Sequence, residues 1–246
     1  MNCLCRLIRK DQESSARMTQ PHGRAKDVLE TSLLAETAFV TTAAILLVKV
    51  FTSGPFSSSS WLICPMIMVV AALLPTAAKG RDFPALGFAR EQRTIALRCL
   101  YRTCLIVFPF VFLLYRFLHS LGMTLPLLPV PPHGPQWLGW LFYQFLYIAV
   151  AEELFFRGYA QANILRLAKP VAPQSHRVQQ WWSIIVSAGV FALAHVVVGG
   201  RITALVTFLP GLVLAWLFVR TRSLLAPILF HGLANCFYCF LAATPV

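Results

Sequence analysis

Residues 137–157 read WLGWLFYQFLYIAVAEELFFR. No charge interrupts the stretch before Glu152, and then two carboxylates and a guanidinium, Glu152, Glu153 and Arg157, follow within six residues. Helical periodicity carries the run on to about Leu167. Charged groups at bilayer depth are costly, so each one marks a functional-site hypothesis. Glu153 and Arg157 are four apart, on one helix face and able to pair. Glu152 is rotated about 100° from Glu153, which lets it face a cavity while the pair stays bound to the scaffold.

The rest of the chain fits a membrane protein. Of its 246 residues 58% are hydrophobic and 12% charged, against roughly 45–50% and about 25% in soluble domains. That balance excludes a soluble globule, a disordered chain and a disulfide-stapled module. Seven spans of roughly 20 residues would use about 140. The apolar runs are Leu33–Thr52, Trp61–Ala78, Cys99–Leu121 with Pro109 as an expected kink, Trp137–Leu167, Trp181–Val198, Ile202–Val219 with Pro210-Gly211 inside it, and Leu224–Ala243. The expected fold class is all-α, a polytopic transmembrane helix bundle of about seven spans. A polar tail (residues 1–30), a set of N-terminal helices (31–136) and a catalytic set (137–246) divide it. Lys79–Arg98 reads as an interfacial helix and residues 125–135 as a proline-rich link.

The net charge of +12 is topological rather than a sign of nucleic-acid binding. With the N-terminus cytoplasmic, the inside segments take six Lys and Arg from residues 1–30, five between Lys79 and Arg98, three between Arg166 and Arg177, and Arg220 with Arg222. The outside loops keep Arg201 alone, as the positive-inside rule requires. The implied localisation is a multi-pass integral membrane protein, in the inner membrane if the cell is bacterial. Cys236 and Cys239 form a C-x-x-C with no second pair to complete a metal site. Cys3 and Cys5 permit palmitoylation without indicating it.

Two more apolar runs carry polar residues of interest. Phe191-Ala192-Leu193-Ala194-His195 lies in the fifth, and His231-Gly232-Leu233-Ala234-Asn235 in the seventh, with His231 and Asn235 on one helix face. Each alone reads as an interhelical hydrogen bond; two Glu, two His and one Asn on three helices point to a site.

Glu152-Glu153-x-x-x-Arg157, Phe191-x-x-x-His195 and His231-x-x-x-Asn235 resemble the three signature motifs of the CPBP (CAAX protease and bacteriocin-processing, or Abi) intramembrane endopeptidases. The type II CAAX prenyl endopeptidase belongs to the same group. The resemblance covers about residues 137–243. It implies that Glu152 activates the attacking water, His195 helps to position it, and His231 and Asn235 stabilise the oxyanion, while Glu153 and Arg157 order the site. The implied substrate is a membrane-associated protein or peptide in the lipid bilayer, with no nucleic-acid partner. Peptide hydrolysis needs such a base and such donors.

The favoured reading has no cofactor. A zinc alternative would use Glu152, His195 and His231 as three ligands with an open position, although the short-range H-E-x-x-H spacing is absent. Two readings from other classes stand beside the protease: a proton-coupled transporter using the same titratable groups, and a catalytically silent immunity or scaffold protein. The absence of an internal repeat weighs against the transporter.

Overall fold

The computed structural model describes residues 30–55, 57–81, 93–123, 136–167 and 175–243. The expected tail up to residue 29 with Cys3 and Cys5, the proline-rich link and residues 82–92 of the expected interfacial helix lie outside the described residues. Among the described residues every regular element is helical. They are α1 (Glu30–Ser53), α2 (Ser60–Ala78), α3 (Arg93–Ser120), α4 (136–167), α5 (Ser175–Gly199), a 3-10 segment (Ile202–Thr207), α6 (Phe208–Thr221) and α7 (Leu225–Ala243).

Six of these helices are long and apolar enough to cross a membrane. The seventh helix, α4, carries Glu152, Glu153 and Arg157 in its middle; the bundle is roughly consistent with the expected seven spans. Large apolar side chains stand on the outside: Phe39 is 75% exposed and Ile106 71%. In water each would forgo burial worth about 1.5–3 kcal/mol; against lipid tails the cost vanishes. The chain is therefore an integral multi-pass membrane protein.

Local chemistry moves several boundaries. Arg93 to Arg98, read as part of an interfacial helix, form the first turns of α3, which then runs on through Pro109. The run Ile202–Val219 divides into a 3-10 segment and α6, so Pro210 falls in the first turn of α6. A missing N–H costs nothing there, because that donor has no intrahelical acceptor. The largest departure is in α4. Its α-helical turns give way to π-helix at Tyr143–Ala149, return to α-helix at Val150–Glu153, and give way again at Leu154–Gln161. Such i→i+5 turns are rare and cluster at functional sites. They flank the two glutamates on both sides.

α4 is tied to α2 and α1 at both ends. Near its start, Tyr143 Oη donates to Trp61 O at 2.8 Å and Tyr147 Oη to Leu62 O at 2.6 Å. Near its end, Tyr159 Oη donates to Glu36 Oε1 at 3.2 Å. Arg81 grips the same carboxylate bidentately at 2.7 and 2.9 Å, and Lys79 approaches it at 3.1 Å. The N-terminal helices and the expected catalytic set thus pack as neighbours.

On the other flank, the turn between α6 and α7 is itself covered: Thr221, Ser223 and Leu224 are buried. Arg222 closes α6 there in the left-handed conformation with φ 51°, and Thr221 Oγ1 accepts from Ser223 N. An inset turn starts α7 below the end of the bundle, which brings His231 to the depth of Glu152.

Two glycines allow the helices this closeness. A Cβ on Gly211 would lie 3.3 Å from Phe191 and 3.4 Å from Ala188, so α6 rests directly on α5. A Cβ on Gly232 would clash with the edge of the Phe145 ring, 2.7 Å from its Cγ. Gly232→Ala is expected to lower stability by about 1–3 kcal/mol, the usual cost of overpacking. It would also draw His231 away from α4; a thermal-unfolding midpoint in detergent micelles and an activity assay read the two effects separately.

Candidate active site

Glu153 is the hub of a buried network. With Arg157 it forms the ion pair its spacing predicts, Arg157 Nη1 to Glu153 Oε1 at 3.0 Å, and both side chains are fully buried. Arg157 Nη2 donates to Gly211 O on α6 at 3.3 Å. The guanidinium also lies 4.4 Å from the centre of the Phe191 ring on α5, a cation–π distance. From α7, His231 Nδ1 reaches Glu153 Oε1 at 2.7 Å. One carboxylate therefore joins α4, α6 and α7, while Phe191 backs it from α5.

Phe191 has a second task. Its ring is 4.4 Å from the His195 ring, 5.1 Å from Phe156 edge-on and 6.1 Å from His231. The aromatic residue of the F-x-x-x-H pattern is thus the platform on which both histidines and the arginine rest. Sequence reasoning recorded it only as a motif letter.

Glu152 points elsewhere. Its side chain is 16% exposed, and it lines a cavity of about 350 Å3 together with His195. Glu152 Oε2 has no hydrogen-bond partner. His231 Nε2 stands 3.9 Å away, too far for a direct bond and suited to a shared third atom. His195 Nδ1 lies 2.9 Å from Phe191 O. A carbonyl only accepts, so Nδ1 carries the hydrogen and a neutral His195 keeps Nε2 as a lone-pair acceptor. The same logic puts the hydrogen of His231 Nδ1 toward Glu153.

Asn235 does not reach this cavity wall. Its Nδ2 donates to Gln144 Oε1 on α4 at 2.9 Å. Gln144 is the residue that sequence reasoning missed; a lone neutral polar group in an apolar run was the available signal. The six candidate residues thus fall into a buried set (Glu153, Arg157, His231), a cavity pair (Glu152, His195) with His231 beside it, and Asn235 on a separate hydrogen bond. No group of three or more His, Cys, Asp or Glu among the described residues is arranged to hold a metal ion.

Part of the cavity wall comes from the N-terminal half. Val48 and Thr52 of α1 and Trp61, Cys64 and Met68 of α2 face Glu152 and His195. Nothing in those residues marks them in the sequence, because they are ordinary apolar or weakly polar side chains.

A helical membrane bundle with a carboxylate and a histidine on one cavity is the class that the fold and site define. Residues 134–237 match the family model described as Type II CAAX prenyl endopeptidase Rce1-like. This segment is thus similar to a protease family, and all six candidate residues lie within the match. No curated protein and no solved structure matches the chain.

Proposed function

We propose that the chain is an intramembrane endopeptidase that hydrolyses a peptide bond of a membrane-associated protein or peptide, with Glu152 as the base that activates water. The observation that carries this reading is the division of the two glutamates. Glu153 is fully buried and engaged through Oε1 by Arg157 and His231, whereas Glu152 lines the cavity and, among the described residues, carries no ion pair to an arginine or lysine. Glu152 takes a proton from water as the water attacks the scissile carbonyl, then gives it to the departing amine. His195, with Nδ1 fixed on Phe191 O, offers Nε2 to hold the water's second hydrogen. His231 donates to the oxyanion from Nε2 when protonated there, its other nitrogen held by Glu153. Asn235, held on Gln144 outside the cavity, is given no step in this scheme. Arg157 touches none of the reacting atoms and acts by fixing Glu153. No metal enters the scheme.

The test is direct. The purified protein in liposomes is given fluorogenic peptides ending in a CAAX sequence, prenylated and unprenylated, beside a peptide with an apolar membrane segment. Cleavage of at least one at a single internal bond, seen by mass spectrometry and lost in Glu152→Gln, is the expected result. Cleavage that survives the substitution would overturn the role of Glu152. Absence of cleavage with substrate-driven proton flux in the same liposomes would replace the peptidase by a transporter.

A further inference from the structure

The cavity has a mouth, and the bundle says which face of the membrane it is on. α1 runs from Glu36 at one end to Thr52 at the other, and α2 returns from Ser60 to Lys79. Tyr143 sits beside Trp61 and Tyr159 beside Glu36, so α4 runs parallel to α2 and antiparallel to α1. Of the residues lining the cavity, Thr52, Ser60, Trp61, Tyr143 and Gly199 all belong to the end where α1 finishes and α2 and α4 begin. Glu152, Phe156 and Met68 lie deeper. His195 is four residues from Gly199, about 6 Å of helix, but twenty from Ser175, about 30 Å. The reactive groups therefore lie nearer the end that holds the α1–α2 turn and the α5–α6 connection.

That end is poor in cations. Lys79, Arg81, Arg177, Arg220 and Arg222 stand at the opposite end, where α2 and α6 finish and α5 begins. On the cavity side are Arg201, Arg116 near the finish of α3, and Lys49, whose Nζ donates to Val198 O at 3.3 Å. Lys and Arg accumulate on the cytoplasmic side of short loops. The cavity mouth is then on the other side.

We propose that the Glu152–His195 cavity is entered from the non-cytoplasmic face of the membrane, and that its substrate is a polypeptide segment presented there. Its walls are apolar on three helices (Val48, Met68 and Phe156), so they take apolar side chains flanking the scissile bond. The nature of the occupant rests on the peptidase reading above; the direction of entry does not.

Thiol accessibility tests the direction without any cleavage. In a chain whose seven native cysteines are replaced, Ser60→Cys places a thiol at the mouth and Lys79→Cys one at the opposite end. A membrane-impermeant maleimide is applied to intact cells and to inverted vesicles. Ser60→Cys is expected to be labelled in intact cells and to lose that labelling in inverted vesicles, with Lys79→Cys giving the reverse pattern. Labelling of Ser60→Cys only in inverted vesicles would overturn the proposal and return entry to the cytoplasmic side. Labelling from neither side until detergent is added would overturn it as well, since the cavity would open to no water. If the cysteine-free chain does not fold, a reporter domain fused after Val246, active only outside the cytoplasm, reads the same orientation: seven spans put it outside. Cleavage lost in Glu152→Gln alongside cytoplasmic entry would separate a failed orientation from a sound peptidase.

Discussion

Glu152→Gln is expected to lower kcat by about 10²–10⁴, the range of a positioned general base, while the unfolding midpoint stays close to that of the parent. The two halves of this expectation have separate causes. A glutamine amide fills the carboxylate's volume but accepts no proton at its nitrogen and is far too weak a base at oxygen. The water in the cavity then attacks unassisted. Stability hardly changes, because Glu152 Oε2 bonds to nothing in the fold and His231 Nε2 is 3.9 Å away. Single-turnover rates against unfolding in detergent micelles separate these effects. His195→Gln supplies the graded comparison: it keeps a polar group on the cavity wall and is expected to reduce kcat less than Glu152→Gln. Equal loss of rate and of stability in Glu152→Gln would make the residue a structural one.

How much of this site could be read without coordinates depends on whether an interaction lies within one helix or between two. The Glu153–Arg157 pair follows from a spacing of four, and it forms. The apolar runs were legible because lipid imposes length and composition on each span independently of its neighbours. Interhelical choices carry no such local mark. His231 and Asn235 share a face of α7, yet one bonds to Glu153 and the other to Gln144. That division is set by how α7 lies along α4, and Gly232 against Phe145 fixes that contact. The π turns of α4 are equally silent, since a few turns of i→i+5 bonding leave an apolar run apolar. The α2 wall of the cavity was invisible because Cys64 and Met68 are what any membrane helix contains.

The cavity itself is shared between two unlike parts of the chain. The groups assigned to the chemistry all fall within residues 134–237, where the Rce1-like match lies. The facing wall, from Val48 to Met68, lies outside it. A peptide chain bound there would meet reactive groups on one side and α1 and α2 on the other. Because α2 is held to α4 through Tyr143 and Tyr147 at one end and to α1 through Glu36 at the other, that wall keeps a fixed distance from Glu152.

Glu153→Ala is expected to cost about 3–5 kcal/mol of stability, the penalty for leaving one member of a buried ion pair alone. Arg157 is fully buried, and its other contacts include the Gly211 carbonyl and the Phe191 and Phe156 rings; none of these supplies the missing negative charge. The substitution also frees His231 Nδ1, so activity falls with stability and the single variant cannot tell the two roles apart. The double variant Glu153→Ala/Arg157→Leu does. Removing both charges takes away the uncompensated cation, and much of the lost stability should return, since buried pairs replaced by apolar groups are often near neutral. The His231 ring still lacks its anchor, so activity should not return. A double-mutant cycle on unfolding free energy, run beside kcat on the same four proteins, measures this coupling. Recovery of both would reduce Glu153 to a counter-ion for Arg157. Recovery of stability alone leaves it as the residue that holds His231 in place for the reaction.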